Sequence, residues 1–599
     1  KVDASQVFGS SFILSGSYSY ANTPFDLDPQ GGTGVNVYRD AARVWHNSYY
    51  SDHNYRPQHQ VQGTGTTFFN TGSLGHEVKF GAALINFAQR HTRAWPGDGT
   101  FGDEQRIASH DPDFPFTANI TRNVADGSQV ETLGGFIGDT ITMNAFTLNL
   151  GLRYDKFTGN NQPSNVPGNT AFPDLLPALA YPGGGEEFEA ESWQPRIGIT
   201  YALGANQTTL LRASYSRFAD QLGTSQVTAT NPTGLPVPRA QYWWNDANGD
   251  HLVQRDELCL TCPVAPIGFD PNNPGAAFSP NRIDPDLSAP KTDEFIVGAE
   301  QQILPELVVG ASYTYRERSD LVWNCPLALD NSPACISRSD YEIFHNGLEG
   351  FDINGNSVGF TGPLYWAPNI PSSYTFGTFE TNRDGYKTIY HGVELQLNKR
   401  LANKWMANAS VSFHDWKQKV EDVATGCIDP TNQVGTFAGY FESLNGRGNS
   451  CADGDIAYDY NGLSWINSKW AFSLTGLYQL PLNFQIAGSL FGRNGHPVPQ
   501  VVTDDPGDGF GSRDLAVGKA EDTRLDDVYQ LDLSLQKVLP IAEKVDVTLS
   551  VDVFNVLNDA TILRTNFDAT DQGGGVGNIG AIEVIQNPRV LRFGARVSF

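Results

Sequence analysis

The last eleven residues, RVLRFGARVSF, alternate strictly. Leu591, Phe593, Ala595, Val597 and Phe599 fall on one side, and Val590, Arg592, Gly594, Arg596 and Ser598 on the other. A strand sends successive side chains to opposite faces, so one face is apolar and the other carries two arginines. The same period recurs upstream. Val545, Val547, Leu549, Val551 and Val553 alternate with Asp546, Thr548, Ser550 and Asp552. Tyr529, Leu531, Leu533 and Leu535 alternate with Gln530, Asp532, Ser534 and Gln536. Phe146, Leu148, Leu150, Leu152 and Tyr154 alternate with Thr147, Asn149, Gly151, Arg153 and Asp155. Further strands are expected to start near Leu307, Trp405, Trp470 and Phe484. No segment carries a convincing helical period.

Alternation by itself fits two architectures. A soluble sandwich buries the apolar face and wets the polar one. A membrane barrel turns the apolar face to lipid and the polar face to a lumen. The connections separate the two. Tight turns at 143–146, 303–308, 400–405, 479–484 and 538–545 alternate with long polar stretches at 223–290, 325–385, 417–467, 495–527 and 558–588. Short turns at one rim and long loops at the other are the pattern of an outer-membrane barrel, whereas a sandwich has no reason to sort its loops. The expected fold is therefore an all-β, antiparallel transmembrane barrel over residues 1–599, with about 16 spanning strands visible. Parity puts Phe599 at the short-turn rim, at the seam where a closed barrel pairs its last strand. FTANITRNV (116–124) and YTFGTFETN (374–382) would break the parity and are expected in outer loops. Trp405, Trp416, Trp470 and Tyr478 lie near strand ends and are expected in aromatic girdles.

Composition narrows the function. Mean hydropathy is -0.33, and no run approaches the roughly 18 apolar residues of a membrane helix. Alternation halves the apolar count of each strand, so a barrel stays open to this chain. Lys and Arg number 40 against 66 Asp and Glu, a formal charge of -26. That charge repels phosphates and excludes a nucleic-acid partner. The six cysteines are Cys259, Cys262, Cys325, Cys335, Cys427 and Cys451, all in expected outer loops. Their even count fits an oxidising compartment. The simplest pairing is local: Cys259 with Cys262, Cys325 with Cys335, Cys427 with Cys451.

Several segments together resemble the Oar-like group of TonB-dependent receptors. They are RPQHQVQ (56–62), HEVKFG (76–81), WQPRIGITY (193–201), LLRASYSRF (210–218), PKTDEFIVGAEQQI (290–303), YHGVELQLNKRLANKWMANASVSFHDW (390–416) and VFNVLN (553–558), followed by the terminal strand. The resemblance implies a bacterial outer-membrane barrel of roughly 22 strands around a plug, coupled to the TonB system. The plug and about six strands have no counterpart in the visible pattern. The expectation is that residues 1–599 are the C-terminal part of a longer receptor that imports a ligand captured by its outer loops. A passive porin and a barrel-anchored adhesin are the alternatives.

One loop motif carries metal chemistry. DANGDHLVQRDE (246–257) follows the spacing of a calcium loop, with Asp246, Asn248 and Asp250 at positions 1, 3 and 5, the Leu252 carbonyl at 7, Gln254 at 9 and Glu257 at 12. His251 stands where Gly normally permits the sharp turn. The expected cofactor is Ca2+; the alternative is an acidic turn with solvated carboxylates. CADGD (451–455) and DDPGDG (504–509) lack a full ligand set. No nucleophile elbow or other catalytic constellation is present, and an enzyme is not expected. Asp532, Asp546 and Asp552 are expected to face Arg592 and Arg596 across a charged lumen wall, with His414 also on the lumen side.

Overall fold

The computed structural model describes residues 1–599 apart from 106–112, 235–236, 329–331, 334–341, 359, 367–373, 384, 421–467, 497, 499, 505–512, 518–523, 543–544, 567 and 572–573. Seventeen strands form one antiparallel meander, which we call the wall. They are β1 (Val2–Phe8), β2 (Phe12–Asn22), β3 (Pro57–Thr71), β4 (Leu74–Ala94), β5 (Val124–Met143) and β6 (Phe146–Asn161). Next come β7 (Glu186–Leu203), β8 (Thr209–Ala219), β9 (Lys291–Leu304), β10 (Leu307–Ser319), β11 (Tyr386–Ala402) and β12 (Trp405–Val420). The last are β13 (Trp470–Leu480), β14 (Phe484–Arg493), β15 (Val528–Ala542), β16 (Val545–Phe554) and β17 (Val590–Ser598). Each pairs with its neighbours in sequence.

The sorted connections are real. Every odd-to-even step of the meander is a turn of a few residues, and every even-to-odd step is long. The turn between β11 and β12 is held by Asn403 (φ 52) and Lys404 (φ 72). Two successive positive φ values give the backbone twist that matches two flanking strands. Ser598 faces Asp546 at the start of β16, beside the short connection from β15, so Ser598 lies at the short-turn rim as parity required. The wall has one strand more than the sequence pattern resolved, because β2 and β3 are rich in Gly, Ser and Thr and carry a weak apolar signal.

The faces decide the solvent. Leu150, Leu152, Ile197, Ile199, Val297, Leu395, Leu549, Val551 and Phe593 are all exposed. Their polar neighbours in the strand point the other way, and Asp155, Gln194 and Asp552 are buried there. A soluble sandwich would show the reverse. Gln194 and Arg153 both donate to Asp155 inside the wall, at 2.5 and 2.6 Å. Trp405 and Tyr478 are register partners on the outer face next to the short-turn rim, as girdle residues should be. The Lys399 ammonium sits 4.8 Å over the Trp405 ring and donates to the Arg400 carbonyl. Trp470 is half-buried at the opposite rim, and the side chain of Trp416 lies outside the described residues.

The seam departs from expectation. Among the described residues β17 pairs only with β16, and β1 only with β2. Both outer edges of the sheet are therefore unpaired, and all seven residues of β1 are exposed. Two short strands, Phe25–Leu27 and Ser51–Tyr55, extend the sheet at the top of β4.

Candidate functional site: the long-loop mouth

The long connections fold on one another. Six segments make a small sheet in the order 258–267, 239–244, 116–121, 100–103, 38–39 and 45–46. Its core is Ala118, Ile120, Phe172, Leu176, Ala240, Trp244, Val253, Leu258 and Phe269. Connections 95–123 and 220–290 thus share one hydrophobic core, with Phe172 and Leu176 added by a third. The placement of FTANITRNV and YTFGTFETN outside the wall is borne out, except that Val124 opens β5. The first supplies Phe116–Thr121 to this sheet, and the second pairs with Val322–Ala328 and Arg282–Ile283.

Connection 220–290 then turns inward. Its helix, Thr224–Ala229, presents buried Val227 with Leu222 to Val130, Phe157, Phe188 and Ala190 on the inner faces of β5, β6 and β7. Here the inward face becomes apolar. Parity breaks between Val130 and Leu133 and between Tyr154 and Phe157 are its sequence signs.

A cavity of about 860 Å³ lies between the upper ends of β8 to β14. Arg316, Arg318, Arg493 and Glu294 line it, with Phe218, Tyr390, His414 and His496. Arg316 is paired with Glu294, and Arg318 with Asp220. Arg493 donates to the Asn494 carbonyl at 3.3 Å and has no carboxylate partner among the described residues. His414 Nδ1 lies 2.8 Å from Tyr390 Oη and its Nε2 3.0 Å from Ser412 Oγ, on the lumen side as expected. Burial and the neighbouring Arg493 and Arg524 guanidiniums push His496 down to about 4, so its ring is neutral near pH 7. The Arg196 guanidinium stacks 5.0 Å over Phe218 at the edge of the cavity. Sequence reasoning missed these arginines. Their one signal is the spacing of Arg316 and Arg318, two apart and so on one face.

Lower in the lumen the expected charged wall is present in part. Arg592 Nε donates to Asp552 at 3.0 Å. Asp546 and Arg596 line the short-turn end together. Asp532 instead accepts from Gln530 and from the Asn555 backbone N–H, which turns it away from the arginines.

The 246–257 loop sits on the rim of the outer sheet. Asp246 Oδ1 accepts the N–H groups of Gly249 and Asp250, and its Oδ2 accepts the N–H of His251. Asp250 accepts the N–H of Leu252 and the side-chain amides of Asn248 and Gln254. Glu257 is buried and accepts from the Trp244 indole at 3.1 Å and the Ala247 N–H at 3.1 Å. His251 adopts the left-handed conformation, φ 60, that the motif normally gives to Gly. The oxygens are engaged within the loop, and the calcium expectation rests on spacing alone. Cys259 and Cys262 are bonded, with Cα atoms 5.4 Å apart. Cys325 is buried and disulfide-bonded. Cys335, Cys427 and Cys451 lie outside the described residues, as does CADGD and most of DDPGDG.

Comparison with known proteins agrees with this geometry. Residues 14–495 match the family described as the outer membrane beta barrel domain. The TonB-dependent transporter Oar of Myxococcus xanthus is 23% identical over 299 residues, which is 47% of this chain and 23% of Oar. The outer-membrane transporter YddB of Escherichia coli superposes with a TM-score of 0.52 at 14% identity, over 100% of this chain and 61% of YddB. The chain thus spans less than two thirds of both. The resemblance to Oar read from the segments above is borne out, and the protein is an outer-membrane one. The chain belongs to the outer membrane beta barrel domain family.

Proposed function

We propose that this chain is the barrel of a TonB-dependent receptor that takes an anionic, partly aromatic solute at the long-loop mouth and passes it inward. The observation that carries this reading is the cavity between β8 and β14, where Arg316 and Arg318 stand paired with Glu294 and Asp220 and Arg493 has no carboxylate partner among the described residues. The whole protein's charge of -26 opposes an anion at a distance. Screening limits that opposition to about 8 Å at physiological salt, so inside the mouth the lining groups dominate. Phe218 and Tyr390 offer ring faces beside the guanidiniums, and planar guanidinium groups suit carboxylates in fork geometry.

The unpaired edges of β1 and β17 support a second part of the proposal. Hydrocarbon offers no hydrogen bonds, so each open backbone group there costs several kcal/mol. Further strands of the same receptor pair these edges, and a plug fills the lumen below the mouth.

Binding and uptake test the two halves separately. Arg493→Gln and Arg316→Gln should weaken binding of small aromatic carboxylates to the detergent-purified protein, by tenfold or more, and leave neutral sugars unaffected. Equal binding by both variants sinks the anion reading. Uptake by cells should stop when the inner-membrane proton gradient is discharged; uptake that continues would make the barrel a passive channel.

A further inference from the structure

We propose that Glu104, Asp246 and His251 form a binding site for a divalent transition-metal ion of the zinc class. This inference goes beyond the solute reading and does not depend on it. The three residues come from two long connections, 95–123 and 220–290. Their donor atoms all lie within 4.8 Å of one another. His251 Nδ1 is hydrogen-bonded to Glu104 and lies 3.6 Å from Asp246 Oδ2. Small movements bring all three to the roughly 2.0–2.2 Å that zinc requires of nitrogen and carboxylate ligands.

The imidazole is held in place. Tyr38 stacks on His251 with centroids 4.2 Å apart and planes 3° apart. On its other face Tyr38 stacks on His46 at 4.6 Å, and His46 Nε2 is 2.7 Å from Asp40. His251 cannot swing away without breaking this stack, and a ligand ring fixed by its surroundings binds metal better than a mobile one.

Charge argues for a dication. The side chains of Asp246 and Glu104 are only 6% and 13% exposed. Neither carboxylate is paired with Lys or Arg among the described residues. Two shielded negative charges this close repel strongly. The two carboxylates give the cluster a charge of minus two. A dication with a neutral imidazole brings it to zero, and an uncompensated charge away from water is costly. The nitrogen donor selects the class. Calcium and magnesium take oxygen ligands, whereas imidazole suits zinc and its neighbours. Three protein ligands leave a fourth position for water or for a donor atom of a captured solute. His251 is the residue that breaks the calcium motif, so the departure in the loop becomes a ligand.

The test uses the untagged, metal-stripped chain in detergent, titrated with Co2+ and followed by visible absorption. One equivalent should develop a low-symmetry cobalt band that Zn2+ displaces and millimolar Ca2+ does not. His251→Ala and Glu104→Gln should each raise the Co2+ dissociation constant by about tenfold or more. Glu104→Gln keeps a hydrogen-bonding group of the same shape, so it reports ligation and not folding. The proposal is overturned if no such band appears, if Ca2+ displaces Co2+ as well as Zn2+ does, or if both variants bind like the parent.

Discussion

Asp552 and Arg592 are register partners on β16 and β17, joined at 3.0 Å on the lumen side, while the adjacent partners Val551 and Phe593 stand exposed on the other side. One residue along the strand exchanges water for hydrocarbon. Leu549, mid-strand on the outer face, should therefore tolerate no charge. Leu549→Arg is expected to cost about 2–4 kcal/mol in a bilayer, against well under 1 kcal/mol for Thr548→Arg on the lumen face. Urea unfolding from lipid vesicles measures both, and equal costs would place the apolar face somewhere other than lipid.

The outer sheet should unfold without the wall. Trp244 is fully buried at its centre, and its indole satisfies buried Glu257. Trp244→Ala should cost about 3–5 kcal/mol, expose the outer connections to trypsin, and leave the heat-resistant gel mobility of the barrel unchanged. A variant that loses that mobility would show one cooperative unit where we describe two.

Glu380, in the outer strand Tyr374–Asn382, makes loop packing pH-dependent. Burial pushes its carboxyl up to about 7, against a partly offsetting hydrogen bond from Gln226. Between its ordinary value of 4.5 and about 7 the folded loop holds a proton that the unfolded loop has lost. Loop stability should therefore fall as pH rises through that window and level off on either side. Amide exchange around Thr224–Ala229 across pH 4–8 reads the slope, which Glu380→Gln should abolish.

The Cys259–Cys262 bond closes a very short loop. The chain-entropy estimate for so few residues is about 2 kcal/mol. Cys259→Ser with Cys262→Ser should therefore lower the melting temperature of the outer sheet only slightly. A collapse of the whole sheet on reduction would mean that this bond bears more than its own turn.

Much of the architecture was legible because a membrane barrel writes it twice. The period of two in β6, β15, β16 and β17 gives the faces, and the sorted connections give the ends. The exclusion of 116–123 and 374–382 from the wall followed from parity alone. The early strands were harder. β2 carries Ser and Gly, and β3 Gly and Thr, where β16 carries Val and Leu, so their alternation is faint.

The sequence by itself determined the wall, because a strand's two faces and a turn's length are local properties that a few consecutive residues specify. Only the tertiary structure decided the mouth. Arg316, Arg318 and Arg493 lie on β10 and β14, four strands apart in the meander, and meet only across the curved wall. Glu104 reaches His251 through a fold of two loops whose separation in the chain is more than a hundred residues. Such pairs depend on which hydrophobic faces find each other, and no local pattern records that choice.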